Sequence, residues 1–193
     1  MAFPATLLLL AGGESRRMGR SKALLPVQET TLVEWLAERL RPAFDQLLVA
    51  ARDTSQLPPA VHGDFVADIR PGAGPLAGIE AGLASARNPR VVAVACDMPY
   101  VSVALAVRLA ASAEGHDAAV PRVRGRVQPT CAAYRQSALP AIATALAAGE
   151  RRASEVIGRL EVNWLDQEEP ALFTNLNTPA DYQAFLAWSR KTR

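Results

Sequence analysis

Apolar residues fall along this chain in short runs separated by polar stretches, and the two kinds of stretch have different periods. Continuous apolar runs over residues 6–10, 46–50, 65–67, 90–95 and 118–121 predict strands buried on both faces, because a strand with one wet face would alternate. Between them the spacing changes to three and four. Leu32, Trp35, Leu36, Ala37 and Leu40 form one stripe of residues 31–40, with Glu34, Glu38 and Arg39 opposite, the pattern of an amphipathic helix. Further helices are predicted over 75–86, 102–113, 137–148 and 178–189. Ser102 can cap the third of these five helices, and Gly149 stops the alanine-rich fourth. The last opens on "NTPADYQAF", with Thr178 as N-cap, Pro179 at the first helical position and Asp181 in the first turn.

Buried strands alternating with helices imply an α/β fold, a mostly parallel sheet with helices on both faces. At 193 residues a single domain, 1–193, is expected. No repeat is visible, and the richest turn stretch, "RPGAGP" at 70–75, is too short to divide domains.

Charge narrows the function. With 21 basic and 19 acidic side chains, the formal charge of +2 excludes a general polyanion binder, so any positive site is local and no nucleic-acid partner is expected. Cys96 and Cys131 lack metal or redox spacing and read as reduced structural thiols. The run at 6–10 is too short to cross a membrane, and arginines follow it rather than precede it, so a cytoplasmic protein is expected. His62 and His116 are isolated, which leaves no nucleophilic triad and points to electrostatic chemistry.

Five stretches carry candidate chemistry. The first strand enters "AGGESRRMGRSK", residues 11–22. Paired glycines let the backbone approach a ligand, and the exposed N–H groups of such a turn, with Arg16, Arg17 and Lys22, suit phosphate oxygens. Gly12, Gly13 and Gly19 satisfy neither G-x-x-x-x-G-K-[ST] nor G-x-G-x-x-G. "VVAVACDMPYV" ends a buried strand in Asp97, placed where open α/β sheets bind ligands and suited to magnesium carried by a nucleotide; a turn before Pro99 is the competing use. "ADIRPGAGPLAGIEAGL" closes another strand with Asp68, and Gly72, Gly74 and Gly78 could admit a base or sugar, or simply turn the chain. In "RVRGRVQPTCAAY", Arg122, Arg124 and Arg126 would share one face of a strand. With Arg151 and Arg152 of "GERRASEV" they are either a second anion site or a solvated basic edge. Asn175 and Asn177 of "FTNLNTPADY" share a face entering the last helix and are competent magnesium ligands or caps.

Together "LAGGESRRMGRSKALL", "RPGAGPLAGI", "CDMPY", "QPTCAAY", "GERR" and "NLNTP" resemble the molybdenum cofactor guanylyltransferases of the MobA type, over about residues 7–185. The resemblance implies a Rossmann-like sheet of the nucleotide-diphospho-sugar transferase type that transfers GMP from GTP, with magnesium, to molybdopterin and releases pyrophosphate. By that comparison Leu10, Ala11, Gly12 and Gly13 match nucleotide-contacting backbone, and Lys22, with Arg16 and Arg17, meets the triphosphate. Asp68 contacts the guanine nucleotide and Asp97 ligates magnesium. Gln128, Arg151, Arg152, Asn175 and Asn177 fall to the acceptor side. Implied partners are the two small substrates and transient contacts with other molybdenum cofactor biosynthesis or recipient enzymes. Two departures stand out: Ser21 where the family often has aspartate, and Ala50 where relatives can carry asparagine. The alternatives are a cytidylyltransferase for the same cofactor, a sugar-phosphate nucleotidyltransferase, and a non-catalytic nucleotide-binding module. "LAGG" leans towards guanine by resemblance.

Overall fold

The structure, a computed structural model, describes residues 2–12, 21–58, 61–70, 72–167 and 169–192. In chain order the elements are β1 (Phe3–Leu10), β2 (Pro26–Val27), β3 (Thr30–Thr31), α1 (Leu32–Leu40), β4 (Phe44–Ala51), β5 (Asp64–Ala67), α2 (Pro75–Ser85) and β6 (Arg90–Ala95). Then follow α3 (Val103–Ser112), β7 (Ala118–Val123), β8 (Arg126–Val127), β9 (Cys131–Arg135), α4 (Leu139–Ala147), α5 (Ala153–Ile157), β10 (Val162–Gln167) and α6 (Pro179–Ser189). The main sheet runs β10-β7-β9-β6-β1-β4-β5, with β8 hung on β7.

β1 is the hub. It pairs in parallel with β4 and β6, so Leu8 lies between Leu48 and Ala93, and Leu10 between Ala50 and Ala95. Successive side chains of a strand point to opposite faces. Leu7 and Leu9 therefore join the layer of α1 and α3, with Leu36, Leu40, Leu105 and Leu109. Leu8 and Leu10 join the layer of α2 and α4, with Leu76, Ile79, Leu83 and Ile142. A third cluster seats α6 on α1: Phe185 is buried with Leu25, Val27, Leu32 and Leu176, and Trp35, Tyr100 and Trp188 pack around them.

The helix starts follow the predicted chemistry. Ser102 Oγ accepts from the Leu105 N–H at 3.2 Å, and Thr178 with Asp181 forms a reciprocal capping box. The helix predicted over 137–148 begins only at Leu139, after a tight turn over Gln136–Ala138.

Among the described residues, five strands were not predicted: the two-residue β2, β3 and β8, and the longer β9 and β10. β9 inserts antiparallel between β6 and β7, and β10 forms the edge parallel to β7. The arginine stretch also needs correction. Arg124 and Gly125 have positive φ, 49° and 76°, and β7 and β8 pair antiparallel on either side of them with Val123 opposite Arg126. That is a two-residue hairpin turn. Arg122, Arg124 and Arg126 therefore do not line one strand face: Arg122 pairs with Asp166 at 3.1 Å and lies over Trp164, whereas Arg124 sits in the turn.

Candidate active site

The carboxyl ends of β1, β4, β5 and β6 open onto a cavity of about 540 Å³, the position at which parallel sheets receive ligands. One end of it is charged. Lys22 Nζ donates to Asp97 Oδ2 at 2.9 Å and to Asn177 Oδ1 at 3.1 Å. The Lys22 and Asp97 side chains are only 16% and 24% exposed, so solvent screens the pair less than a surface bridge.

Asp97 and Asn177 are held by backbone. The Asp97 carbonyl accepts from the Leu176 N–H at 2.8 Å. Two residues on, the Pro99 carbonyl accepts from Arg39 Nη1 at 3.0 Å. The Arg39 guanidinium is itself stacked over Trp35 and Trp188, 4.2 and 5.3 Å from the ring centres, and burial lowers its pKa. On the other side, the N–H groups of Asn177 and Thr178 donate to Asp181 Oδ2 at 3.0 and 2.8 Å. The Thr178 hydroxyl and these N–H groups hold the Asp181 carboxyl below its ordinary value.

At the other end of the cavity two glycines, lacking side chains, let Asp68 approach the backbone closely. A Cβ on Gly12 would stand 3.3 Å from Asp68 Oδ2. One on Gly78 would meet Leu10 Cδ2 at 3.0 Å, Ala50 Cβ at 3.3 Å and Asp68 Oδ1 at 3.5 Å. The Asp68 carboxylate thus lies across the floor between them. Partial burial pushes its pKa up, and the positive charge of Arg52 works against that shift.

The loop after β5 needs glycine at Gly72 and Gly74, with φ of 82° and 76°. Its Gly72 carbonyl accepts from Arg151 Nη1 at 3.3 Å, and Arg70 pairs with the buried Glu80 of α2 at 3.2 Å.

Of the residues singled out in the sequence, Leu10, Gly12, Lys22, Asp68, Asp97 and Asn175 line this cavity. Ala11 is buried beside it, its N–H donating to the Ala50 carbonyl at 2.7 Å, and Asn177 joins through Lys22. Gly13, Arg16 and Arg17 lie outside the described residues. Gln128 and Arg152 are not brought into the lining: Gln128 Nε2 donates to the Arg126 carbonyl at 3.4 Å, and Arg152 pairs with Glu155 at 2.8 Å. Ser21, one of the two departures, has a buried Oγ with no hydrogen bond. Sequence reasoning missed Arg52 and Thr130, which also line the cavity. Arg52 was within reach, since it follows the strand that pairs in parallel with β1.

Among the described residues no group of three His, Cys, Asp or Glu side chains could form a metal cage. One carboxylate beside two carboxamides is a hard-oxygen set of the size that suits a cation bringing phosphate oxygens as its other ligands. No described helix is long and apolar enough to cross a membrane.

The chain is similar to several known proteins. A probable molybdenum cofactor guanylyltransferase from Carboxydothermus hydrogenoformans is 33% identical over 188 residues, 94% of each chain. The molybdenum cofactor guanylyltransferase of Pseudomonas putida is 35% identical over 189 residues, covering 93% of this chain and 96% of its own. Among solved structures, the molybdopterin-guanine dinucleotide biosynthesis protein A of Archaeoglobus fulgidus superposes with a TM-score of 0.84 at 29% identity, over 96% of this chain and 99% of its own. The model of the MobA-like NTP transferase domain matches residues 7–164, and the chain belongs to that family.

Proposed function

We propose that this chain transfers GMP from GTP to the phosphate of molybdopterin, forming the guanine dinucleotide cofactor and releasing pyrophosphate, and that it works as a single domain. The observation that carries the reading is the convergence of Lys22, Asp97 and Asn177 within 2.9 to 3.1 Å at one end of a cavity whose other end is floored by Gly12, Gly78 and Asp68. The names of its relatives agree with it.

A phosphate oxygen of the acceptor attacks the α-phosphorus, a P–O bond forms, and the bond to the β-phosphate oxygen breaks as pyrophosphate leaves. The acceptor is already ionised at neutral pH, so the reaction needs positioning and charge neutralisation more than a base. On this reading the reaction calls on neither His62 nor His116, which do not line the cavity. Backbone N–H groups near Gly12 and the Lys22 ammonium hold the leaving phosphates. The Asp68 carboxylate accepts from guanine N–H groups, with the glycine floor admitting the flat base. Asn177, fixed by the start of α6, and Asn175 orient the acceptor side. Asp97, with those asparagines, would hold magnesium, which would supply a fixed positive charge to the substrate phosphates.

The test is a panel of the four nucleoside triphosphates with molybdopterin and magnesium, following pyrophosphate release. GTP is expected to be preferred, and Asp97→Ala to lose turnover while keeping the circular dichroism of the folded protein. Preference for CTP, turnover only with a sugar phosphate, or full activity of Asp97→Ala would refute the corresponding part.

A further inference from the structure

Lys22 shares its ammonium with the carboxylate on which the proposed metal site depends. The pair is 2.9 Å apart and largely sheltered from water. The three partners are not equally free to move. Asp97 is fixed by the Leu176 N–H on its own carbonyl and by the Arg39 bond to Pro99. Asn177 is fixed by Asp181. Lys22 alone carries its charge on a four-carbon stem with rotatable donors, and it lines the same cavity as Asp97 and Gly12.

A divalent cation on either oxygen of Asp97 lies within direct Coulomb range of that ammonium, in a site where water weakens the repulsion little. Ammonium and metal are rivals for one carboxylate. A triphosphate changes the balance, because its anionic oxygens attract both cations at once. We propose that Lys22 makes the binding of metal and of nucleoside triphosphate mutually dependent. Its ammonium holds Asp97 against a divalent cation arriving alone, and the triphosphate, by taking the ammonium, yields the carboxylate to the cation. Coupling of this kind is reciprocal: whatever factor the triphosphate adds to metal affinity, the metal adds to triphosphate affinity. The inference rests on reading the cavity as a site for a metal-bound nucleoside triphosphate, and it adds the dependence of each ligand on the other.

The experiment is a titration of the whole protein with manganese as the probe, free metal being read by electron paramagnetic resonance, with and without the α,β-methylene analogue of GTP. Lys22→Met is expected to bind manganese alone about tenfold more tightly than the wild type, within the usual range of coupling factors. The same variant should bind the analogue more weakly without metal, and the gain in metal affinity that the analogue brings should shrink about tenfold. Adding Asp97→Asn to Lys22→Met should erase the tighter manganese binding. Lys22→Gln, which keeps a polar group for Asn177, serves if the methionine variant does not fold. Manganese binding to the Lys22 variants that is no tighter than wild type would overturn the proposal, as would a gain that survives Asp97→Asn. The nucleotide-free titration contains neither guanine nor pterin, so a CTP preference would defeat the guanylyl reading and leave this one standing.

Discussion

Gly82→Ala adds one methyl group on the face of α2 that lies against β1. That Cβ would stand 2.3 Å from Leu8 Cδ2, 2.8 Å from its Cδ1 and 3.0 Å from its Cγ, where ordinary carbon contacts fall at about 3.5–4.0 Å. All three contacts are to one branched end, so no rotation of a single methyl relieves them. Leu8 is fully buried between Leu48 and Ala93 and has little room to yield. Overpacking of a tight core costs about 1–3 kcal/mol, and this geometry belongs at the upper end. Against it stands the gain of about 1 kcal/mol for alanine over glycine inside a helix. The net expectation is a loss of about 1–2 kcal/mol, or about 2–8 °C in melting temperature. Urea unfolding followed by circular dichroism measures it. Leu8→Ala, itself costing about 2–5 kcal/mol, removes the obstacle, and in that background Gly82→Ala should become stabilising. The same sign in both backgrounds, or a wild type stabilised by the helix gain, would refute the close approach of α2 to β1. Gly78 lies one turn earlier on the same face, so a lifted α2 should also weaken nucleotide binding at Asp68.

Asp68 and the cysteines allow tests that need no substrate. The folded-state pKa of Asp68 is raised, chiefly by desolvation, above its ordinary 3.8, so its ionised form costs stability at neutral pH. Asp68→Asn should be more stable than wild type at pH 7, with the advantage shrinking as pH falls through the folded-state value and gone below about the ordinary aspartate value; an advantage undiminished at pH 3.5 would contradict this. Burial pushes the Cys96 and Cys131 thiols up to about 12. Neither should react with iodoacetamide at pH 8 until the protein is unfolded in urea, and rapid alkylation of either in the folded protein would count against the packing around them.

The sequence pattern found four of the strands that are buried on both faces, and also the largely exposed edge strand β5, but missed β9 and β10. β1, β4, β6 and β7 are dense in Val, Leu and Ala with their middles inaccessible. β10, "VNWLDQ", mixes polar and apolar residues and is half-buried except at the exposed Asp166, an edge strand that leaves no continuous run. β9, "CAAYR", is buried but short and alanine-rich, a composition with weak strand preference. The arginine hairpin was hidden because Arg124 occupies a positive-φ position that glycine or asparagine usually marks. In the site, Asp68 and Asp97 were legible because each follows the end of an apolar run, and Lys22 because it closes the basic loop after the first run; parallel strands bring such ends together. Gln128 and Arg152 shared a motif with the site but not a place in it. Their positions depend on β8 and α5, two short elements that no periodicity announced.

Asn177 reaches Lys22 across a sequence separation of 155 residues, and it is brought there by α6 settling through Phe185 and Trp188 on Trp35 and Tyr100. A chain emerging amino end first would present Lys22 and Asp97 long before their third partner, and domains commonly begin to fold during synthesis. The central sheet can form early, yet the charged end of the cavity is finished only when the last helix docks. Completion of the site is therefore tied to the docking of α6, and a truncation within α6 would leave a sheet that is largely built and a cavity that is not.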